Sequence, residues 1–272
     1  MKYIPKLPAL SLPLPGKSFI KYGLLGLFFY LTFLVVNLPA EWLAWGINKY
    51  SHGSITLTQA SGSFWQGRGS LSISQNRTTP VNLGRIEWNM RTFWLLIGQV
   101  DITLDLSGDG LHGRSRLIFS PGQTKLNGLR ISVEATKLGS YYSPAALISP
   151  LGQININAEE VSINDKGMQG LVEVKWKDAG SALSAVKPLG SYNLTATGNG
   201  KNAKITLSSS NDSSLKLAGN GNWALVNGLV NFNGTATPAR NKSELESLLS
   251  LMGRDLGGGK RTLRFNTRIP FS

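Results

Sequence analysis

The chain has 272 residues, no cysteine, 31 glycines and a formal net charge of +13. The lack of cysteine excludes disulfide bonds, zinc–thiolate sites and cysteine nucleophiles, so an exported domain would be stabilised by its own core alone. The charge suits anionic lipid head groups or an acidic partner better than nucleic acid, because the basic residues are scattered rather than gathered in one arm or helix. An ordinary solvated surface explains the charge equally well. Examples of the scattered residues are Arg68, Arg85, Arg114, Arg130, Lys175 and Lys204.

An uncharged apolar run from Tyr22 to Leu38 follows four lysines, and no acid precedes Glu41. At ~1.5 Å per residue, this run and the two apolar residues before it approach the ~30 Å hydrocarbon core of a bilayer, so we predict one transmembrane helix over 19–38. The positive-inside rule places the tail, 1–18, in the cytoplasm and the rest of the chain outside. A cleaved signal peptide is the alternative, but its apolar core is usually ~7 to 15 residues long.

Residues 39–52 are predicted to form a juxtamembrane helix, with its regular part from Ala40 to Tyr50. Trp42 and Trp45 stand where an aromatic anchor at the membrane interface is expected. On the same helix, Leu43, Ile47 and Tyr50 recur at helical spacing and are expected to share one face.

Residues 53–272 are predicted to form a mainly β, antiparallel domain of many short strands. Period-two alternation recurs between Gly, Asn, Ser and Asp turns, and few helical interruptions occur, so a meander is favoured over a parallel βαβ fold. In one segment, Val100, Ile102, Leu104 and Leu106 share a face opposite polar residues. The predicted strands are Ser54–Ala60, Gly69–Ser74, Gly84–Asn89, Gln99–Leu106, Arg114–Phe119, Gly128–Ala135, Gln153–Ala158, Leu171–Trp176, Ser191–Thr197, Ala203–Ser208, Ser214–Gly219, Leu229–Thr235 and Arg261–Ile269.

The β domain shows a weak internal repeat. Trp88 and Trp176 each end a predicted strand that is followed by an irregular connection, a strand and a Gly-x-Gly turn. This order allows two stacked similar units, 53–150 and 151–272.

A short C-terminal helix interrupts the strands. Ser243 and Glu246 form a capping box ahead of leucines at helical spacing, and Gly253 is suited to the helix end. The segment Ala179–Val186 is predicted as a turn or a short helix, and three glycines, Gly257–Gly259, precede the last strand.

The chain carries no pattern typical of catalysis. His52 and His112 are the only histidines, and each is predicted to be an exposed loop residue. Carboxylates such as Asp105, Asp109, Glu159 and Glu160 could serve a metal only if folding brought them together, and Glu159–Glu160 is most simply a solvated strand end. The glycines at 67 and 69 and at 108, 110 and 113 precede no helix, so hairpin turns explain them better than phosphate loops. We therefore expect no catalytic residue, no metal and no cofactor.

Several segments, taken in order, point to a known family. They are SGSFWQGRGSLSI at 61–73, the strand of Trp88 with the step Leu95–Gly98, VKWKDAGSAL at 174–183, PLGSYNLTATG at 188–198 and LAGNGNW at 217–223. Together with the N-terminal apolar helix, they resemble the type II secretion system protein N (general secretion pathway protein N) family of Gram-negative bacteria. The resemblance implies an inner-membrane protein with a periplasmic β domain that helps to move folded proteins across the outer membrane, without enzymatic activity and with no site residues to carry over.

The sequence is compatible with two functions. The favoured one is a non-enzymatic secretion component that contacts other subunits through sheet edges or its basic face, with the last strand as the first candidate edge. The alternative is a membrane-anchored β groove that binds or transfers lipid. The expected partners are other type II secretion subunits and inner-membrane lipids, with no nucleic acid and no small-molecule substrate.

Overall fold

The computed structural model describes residues 17–74, 80–141, 143–250 and 252–268. The chain divides after Leu38 into two units. Most of the predicted tail, 1–18, and Ile269 at the end of the last predicted strand lie outside the described residues. Over the part that is described, the predicted mainly β, antiparallel fold is confirmed.

In the described part of the first unit, helix α1 spans Lys17–Val36. Its side chains are described from Lys21 onward, and its large apolar ones are exposed, for example Phe28 at 61% and Phe33 at 63%. Within the described residues, no helix has the combined length and apolarity that crossing a membrane requires.

The second unit is built on one antiparallel sheet of 13 strands whose spatial order is the chain order. Every predicted strand corresponds to an observed one. The strands are β1 Ile55–Gly62, β2 Gln66–Ile73, β3 Val81–Met90, β4 Val100–Gly108, β5 Leu111–Ser120, β6 Gln123–Glu134, β7 Pro150–Asn164, β8 Gly167–Ser181, β9 Gly190–Gly200, β10 Asn202–Ser209, β11 Leu215–Ala224, β12 Leu229–Pro238 and β13 Arg261–Arg268.

The largest differences from prediction fall in β7 and β8, which are 15 residues long each. Register shifts between Asn157 and Val161, and between Trp176 and Ala179, interrupt the alternation of inward and outward side chains. A search for period two therefore stops at each bulge although the strand continues. Ala179–Ser181 accordingly belong to β8, and a turn follows at Ala182 and Leu183. Of the two alternatives for Ala179–Val186, the turn is therefore confirmed for these two residues and the short helix is wrong.

Helix α2, Ala40–Tyr50, has its predicted bounds and packs on β1 and β2. Ala40 is fully buried, and Leu43, Ala44 and Ile47 contact the cluster that it forms with Leu57 and Trp88. Tyr50 is 84% exposed, so the prediction that it shares one face with Leu43 and Ile47 is wrong. The cluster ends one turn earlier, at Ile47.

Helix α5, Lys242–Ser250, is the predicted C-terminal helix, but its start differs. Ser243 lies inside the helix rather than at its cap. Asn241, with φ of +53°, precedes the first turn; its carbonyl accepts the Leu245 N–H and its Nδ2 donates to Glu244. Asn tolerates this left-handed conformation better than Ser does. Gly253 follows the helix end without adopting a positive φ.

Four short helical pieces escaped prediction. Two are 3-10 turns at Thr92–Ile97 and Ala135–Lys137, and two are single α turns, α3 at Leu138–Tyr141 and α4 at Ser143–Ala146. Each is too short to carry a 3.6-residue apolar period, so the sequence offers no pattern from which to find it.

Three buried clusters lie along one face of the sheet. The first joins α2 to β1 and β3. The second lies in the middle and joins Ala158, Val161 and Met168 to Leu225. The third joins α5 to Leu189, Leu215 and Ala236 through three buried leucines of the helix: Leu245, Leu248 and Leu249. The core of this unit is therefore a chain of local clusters on a single sheet face.

Candidate functional site

The two faces of the sheet differ in chemistry along the whole series of strands. Residues opposite each other on paired strands share a face, and successive residues alternate. Trp88 stands opposite Leu104, whereas their neighbours Asn89 and Thr103 stand opposite each other on the other side. The register carries this division from strand to strand, so we call the side of Trp88 the apolar face and the opposite side the polar face.

The apolar face is incompletely covered. Between the clusters under α2 and α5, five apolar side chains stand opposite one another on five consecutive strands, β6 to β10. All five are only half-buried, and none belongs to the three core clusters. We call this row the apolar ladder; it consists of Ile131, Ile156, Val174, Leu194 and Leu207.

The polar face gathers the basic residues that look scattered in the sequence. The register places all six residues cited above as scattered on this one face. Sequence reasoning missed this, although the alternation contains the signal: each of these residues occupies the polar phase of its strand. The six are Arg68, Arg85, Arg114, Arg130, Lys175 and Lys204.

From β4 to β8, cations of the polar face form ion pairs with carboxylates. Asp101 is only 3% exposed and accepts two hydrogen bonds from Arg116, at 2.8 Å from Nε and 2.6 Å from Nη2. Arg91 approaches the same carboxylate at 3.7 Å. The bidentate contact with Arg116 holds the pKa of Asp101 below its ordinary value despite burial, which acts in the opposite direction. Further pairs on this part of the sheet are Asp105–Arg114, Glu160–Lys125 and Glu173–Lys175.

From β9 to β13, the strands contain no Asp or Glu at all. Their polar face consists mostly of Asn, Thr and Ser, with Ala218, Ala224 and Leu229 among them, and four cations. Within the described residues no ion pair involves these four cations. We call this part the cationic sector; its cations are Lys204, Lys216, Arg264 and Arg268.

The cationic sector ends at a sheet edge, since β13 pairs with β12 and with no further strand among the described residues. The side chains from Arg264 to Arg268 are exposed. Among them, Phe265 lies on the apolar face and is 59% exposed. At the start of β13 the edge is covered, because the Thr262 N–H donates to the Arg254 carbonyl at 2.9 Å. The opposite edge of the sheet is β1.

The outer side of α2 carries two exposed tryptophans. Trp42 and Trp45 are 59% and 57% exposed, and their rings meet edge to face with centroids 6.3 Å apart. The Lys49 ammonium lies 4.6 Å from the centre of the Trp45 ring. An apolar patch with a cation at its margin suits the head-group layer of a membrane.

The residues considered for catalysis stay apart. His52 is exposed in the turn after α2, as expected. His112 is exposed, but it lies in β5, not in a turn, and faces Ser107 and Ser132 on its neighbours. Glu159 and Glu160 lie at the bulge inside β7, so the predicted strand end there is wrong. Asp109 forms an ion pair with Lys137. In the described part of the chain, no three His, Asp or Glu residues group as metal ligands.

The glycines predicted in hairpin turns fall into two groups. Gly108 and Gly110 flank the β4–β5 turn as expected, whereas Gly67 and Gly69 lie within β2 and Gly113 lies within β5, so the turns predicted there are wrong. A Cβ on Gly67 would stand 2.6 Å from Cζ2 of Trp88, and one on Gly69 would stand 2.7 Å from a methyl carbon of Leu57. These glycines leave room on the apolar face for the side chains that build the first core cluster.

Comparison with known families gives one match. The family model described as type II secretion system (T2SS), protein N, matches residues 53–264. Neither the curated proteins nor the solved structures contain a match to the chain. The matched range runs from the turn before β1 to the middle of β13 and so covers β1 to β12 in full.

Proposed function

The chain belongs to the type II secretion system protein N family, and from this premise we propose that it is a non-enzymatic inner-membrane component of that system. In this role its β domain lies in the periplasm and contributes, through contacts with other subunits, to the export of folded proteins across the outer membrane. The family match over residues 53–264 carries the proposal. A sheet with polar and apolar faces and two edges offers extended surfaces for binding.

The anchor in this proposal is the segment 19–38. Its support is the uncharged run from Tyr22 to Leu38 behind four lysines, together with the exposure of the apolar side chains of α1 from Tyr22 onward. The first residues of the segment, Phe19 and Ile20, have side chains outside the described part. The tryptophans of α2 follow directly after the segment, where interfacial anchors are common.

Topology is tested by fusing a reporter after Ser272. Alkaline phosphatase, active only outside the cytoplasm, is expected to be active there, and a fluorescent protein that matures only in the cytoplasm is expected to stay dark. The opposite pair of results would overturn the proposed orientation.

The role in secretion is tested by crosslinking in cells. A photoreactive amino acid at Asn266, on the open edge strand β13, is expected to capture a subunit of the secretion apparatus. The matched position is Asn231, whose place on β12 lies directly opposite Asn266 but one strand inward. Capture of no secretion subunit from either position, with normal export in cells that lack the protein, would refute the proposal.

The half-buried apolar ladder favours a second candidate function, the binding of lipid. Ile131, Ile156, Val174, Leu194 and Leu207 form a continuous apolar row across β6 to β10, and an acyl chain would remove their exposed area from water at about 25 cal/mol per Å². Native mass spectrometry of protein extracted in mild detergent separates the two functions. Lipid that is retained by the wild type and lost in Val174→Asp would support the groove, whereas an empty wild-type protein would exclude it.

A further inference from the structure

The open edge of β13 has a defined chemical pattern. Its outward main-chain groups alternate with those that pair to β12, and the contact of Thr262 with Arg254 shows which residues point outward. Two-residue periodicity then assigns the outward N–H and C=O groups of the open edge to Arg264, Asn266 and Arg268. None of these groups pairs with a strand among the described residues. Unpaired main-chain groups of this kind are typical of a sheet edge to which a strand from another chain can add.

The side chains along this edge belong to the two faces in alternation. Arg264 and Arg268 lie on the polar face, opposite Asn233 and Leu229, whereas Phe265 lies on the apolar face, opposite Phe232, with ring centroids 6.1 Å apart. A strand added at this edge would continue both faces, so its side chains would meet cations on one side and an aromatic ring on the other.

Charge decides what kind of strand fits. Strands β9 to β13 contain no acid, so a strand added beside Arg264 and Arg268 meets a positive potential. Asp255 and Glu246, which lie beside the start of β13, both pair with Arg261. Directly opposed unlike charges on neighbouring strands are stabilising and like charges are destabilising. A second copy of this strand is the wrong occupant, because antiparallel pairing about Asn266 would bring Arg264 of one copy opposite Arg268 of the other.

We propose that β13 is the docking edge for an extended segment of another protein in which acidic and apolar residues alternate. Its main chain bonds to Arg264, Asn266 and Arg268, its acidic side chains extend the polar face beside the two arginines, and its apolar side chains cover Phe265. This inference rests on the proposed function and specifies the chemistry of one contact of the domain.

Binding is measured with the full-length protein in nanodiscs of zwitterionic lipid and labelled peptides of about eight residues, the length of β13. The first peptide alternates Glu and Val, the second alternates Lys and Val, and the third contains the first peptide's residues in two blocks. We expect the first to bind at least about tenfold more tightly than the other two. Equal binding of the first and third peptides would overturn the proposal, because general attraction between charges would then explain it.

Two charge reversals locate the peptide on the sheet. Arg264→Glu is expected to weaken binding of the Glu–Val peptide by about tenfold or more. Lys204→Glu makes the same change of charge on the same face, but on β10, and is expected to change affinity by less than about twofold. Equal losses in both variants would place the peptide across the face and overturn docking at the edge. Unchanged thermal unfolding of each variant shows that the fold is intact.

Hydrogen exchange at single-residue resolution supplies a readout that is independent of affinity. The bound peptide is expected to slow exchange of the amides of Arg264, Asn266 and Arg268, and to leave those of Phe265 and Thr267, which point toward β12, unchanged. Protection at β1 or α2 instead would overturn the proposal. If Arg264→Glu binds no less peptide while loss of the whole protein still stops export, docking at this edge fails and the secretion role stands.

Discussion

Trp88 and Trp176 make the same contact at two places in the sheet. The indole N–H of Trp88 donates to the Phe64 carbonyl at 3.1 Å, 24 residues earlier, and that of Trp176 donates to the Leu151 carbonyl at 2.9 Å, 25 residues earlier. Each indole lies on the apolar face and hydrogen-bonds to the backbone near the start of the preceding strand, which is β2 for Trp88 and β7 for Trp176. The two side chains therefore join packing to backbone hydrogen bonding at corresponding points of the chain.

Trp88→Phe is expected to lower the free energy of unfolding by about 1–3 kcal/mol, because it leaves the Phe64 carbonyl without its indole donor in a site where Trp88 is 3% exposed. Chemical denaturation of the full-length protein in detergent measures the change. Trp42→Phe, at a position 59% exposed, is the control and should stay within about 0.5 kcal/mol of the wild type. Equal effects would show that the indole bond contributes nothing specific.

Asp101→Asn is expected to cost about 1.5–3 kcal/mol at neutral pH, since it leaves Arg116 and Arg91 without a buried anionic partner. The folded pKa of Asp101 lies below the ordinary value of 3.8. Its stabilising contribution is therefore complete above that value and is lost as the pH falls through the lower folded pKa. The difference between wild type and variant should narrow in acid, as denaturant titrations between neutral and acidic pH can show.

Asp105→Asn is the matched control for this pH dependence. Asp105 lies on the same strand and also pairs with an arginine of β5, but the side chains of Asp105 and Arg114 are 41% and 71% exposed. An exposed pair is usually worth less than about 1 kcal/mol. A loss in Asp105→Asn as large as that in Asp101→Asn would contradict the role assigned to burial.

Leu249→Ala should remove about 2–5 kcal/mol of stability, because Leu249 is fully buried in the cluster that joins α5 to the sheet. Ser247→Ala, at an exposed position of the same helix, should change stability by less than about 0.5 kcal/mol. The comparison is made by equilibrium unfolding. If both variants unfold at the same denaturant concentration, α5 is not part of the cooperative fold.

Gly67→Ala is expected to destabilise the sheet by about 1–3 kcal/mol through overpacking, since its methyl group would collide with Trp88 and with the Ser61 carbonyl. Gly113→Ala is the control: it lies on the same face in β5, where a Cβ would meet its neighbours only at 3.5 Å or more. Thermal unfolding compares the two. A neutral Gly67→Ala would show that both the indole and the Ser61 carbonyl can move aside at little cost.

The paired variant Trp42→Ser/Trp45→Ser tests the contact of α2 with the membrane. Brominated lipids quench tryptophan fluorescence at short range, so wild-type protein in nanodiscs should lose more of its emission on bromination than the variant does. Unfolding of the sheet should be unaffected, because both side chains are exposed. Equal fractional quenching in both proteins would place these side chains away from the lipid.

The strands were predictable because each repeats a simple alternation between turn residues, as in Val100–Gly108, where four apolar side chains alternate with polar ones. Bulges limited the prediction, since β7 continues past Asn157 although its alternation changes phase there. The start of α5 was missed because Asn241 and Ser243 are both good residues for a helix N-terminus, and only the positive φ of Asn241 distinguishes them.

The candidate surfaces were less predictable than the strands. The sequence shows Lys204 and Arg264 as 60 positions apart, and only the register from β10 to β13 places them on the same face. The burial of Asp101 likewise depends on neighbouring strands and on Arg91 and Arg116. Such properties belong to pairs of strands and cannot be read from one strand alone.

The chain-order arrangement of the 13 strands bears on how the domain is made. Each strand pairs with the strand synthesised just before it. Strand pairing can therefore proceed from β1 as the polypeptide emerges and does not require a segment that is distant in the sequence. Low sequence separation between pairing partners favours rapid folding. A nascent chain halted at any stage would present its newest strand as a temporary edge, and arrival of the next hairpin would close it.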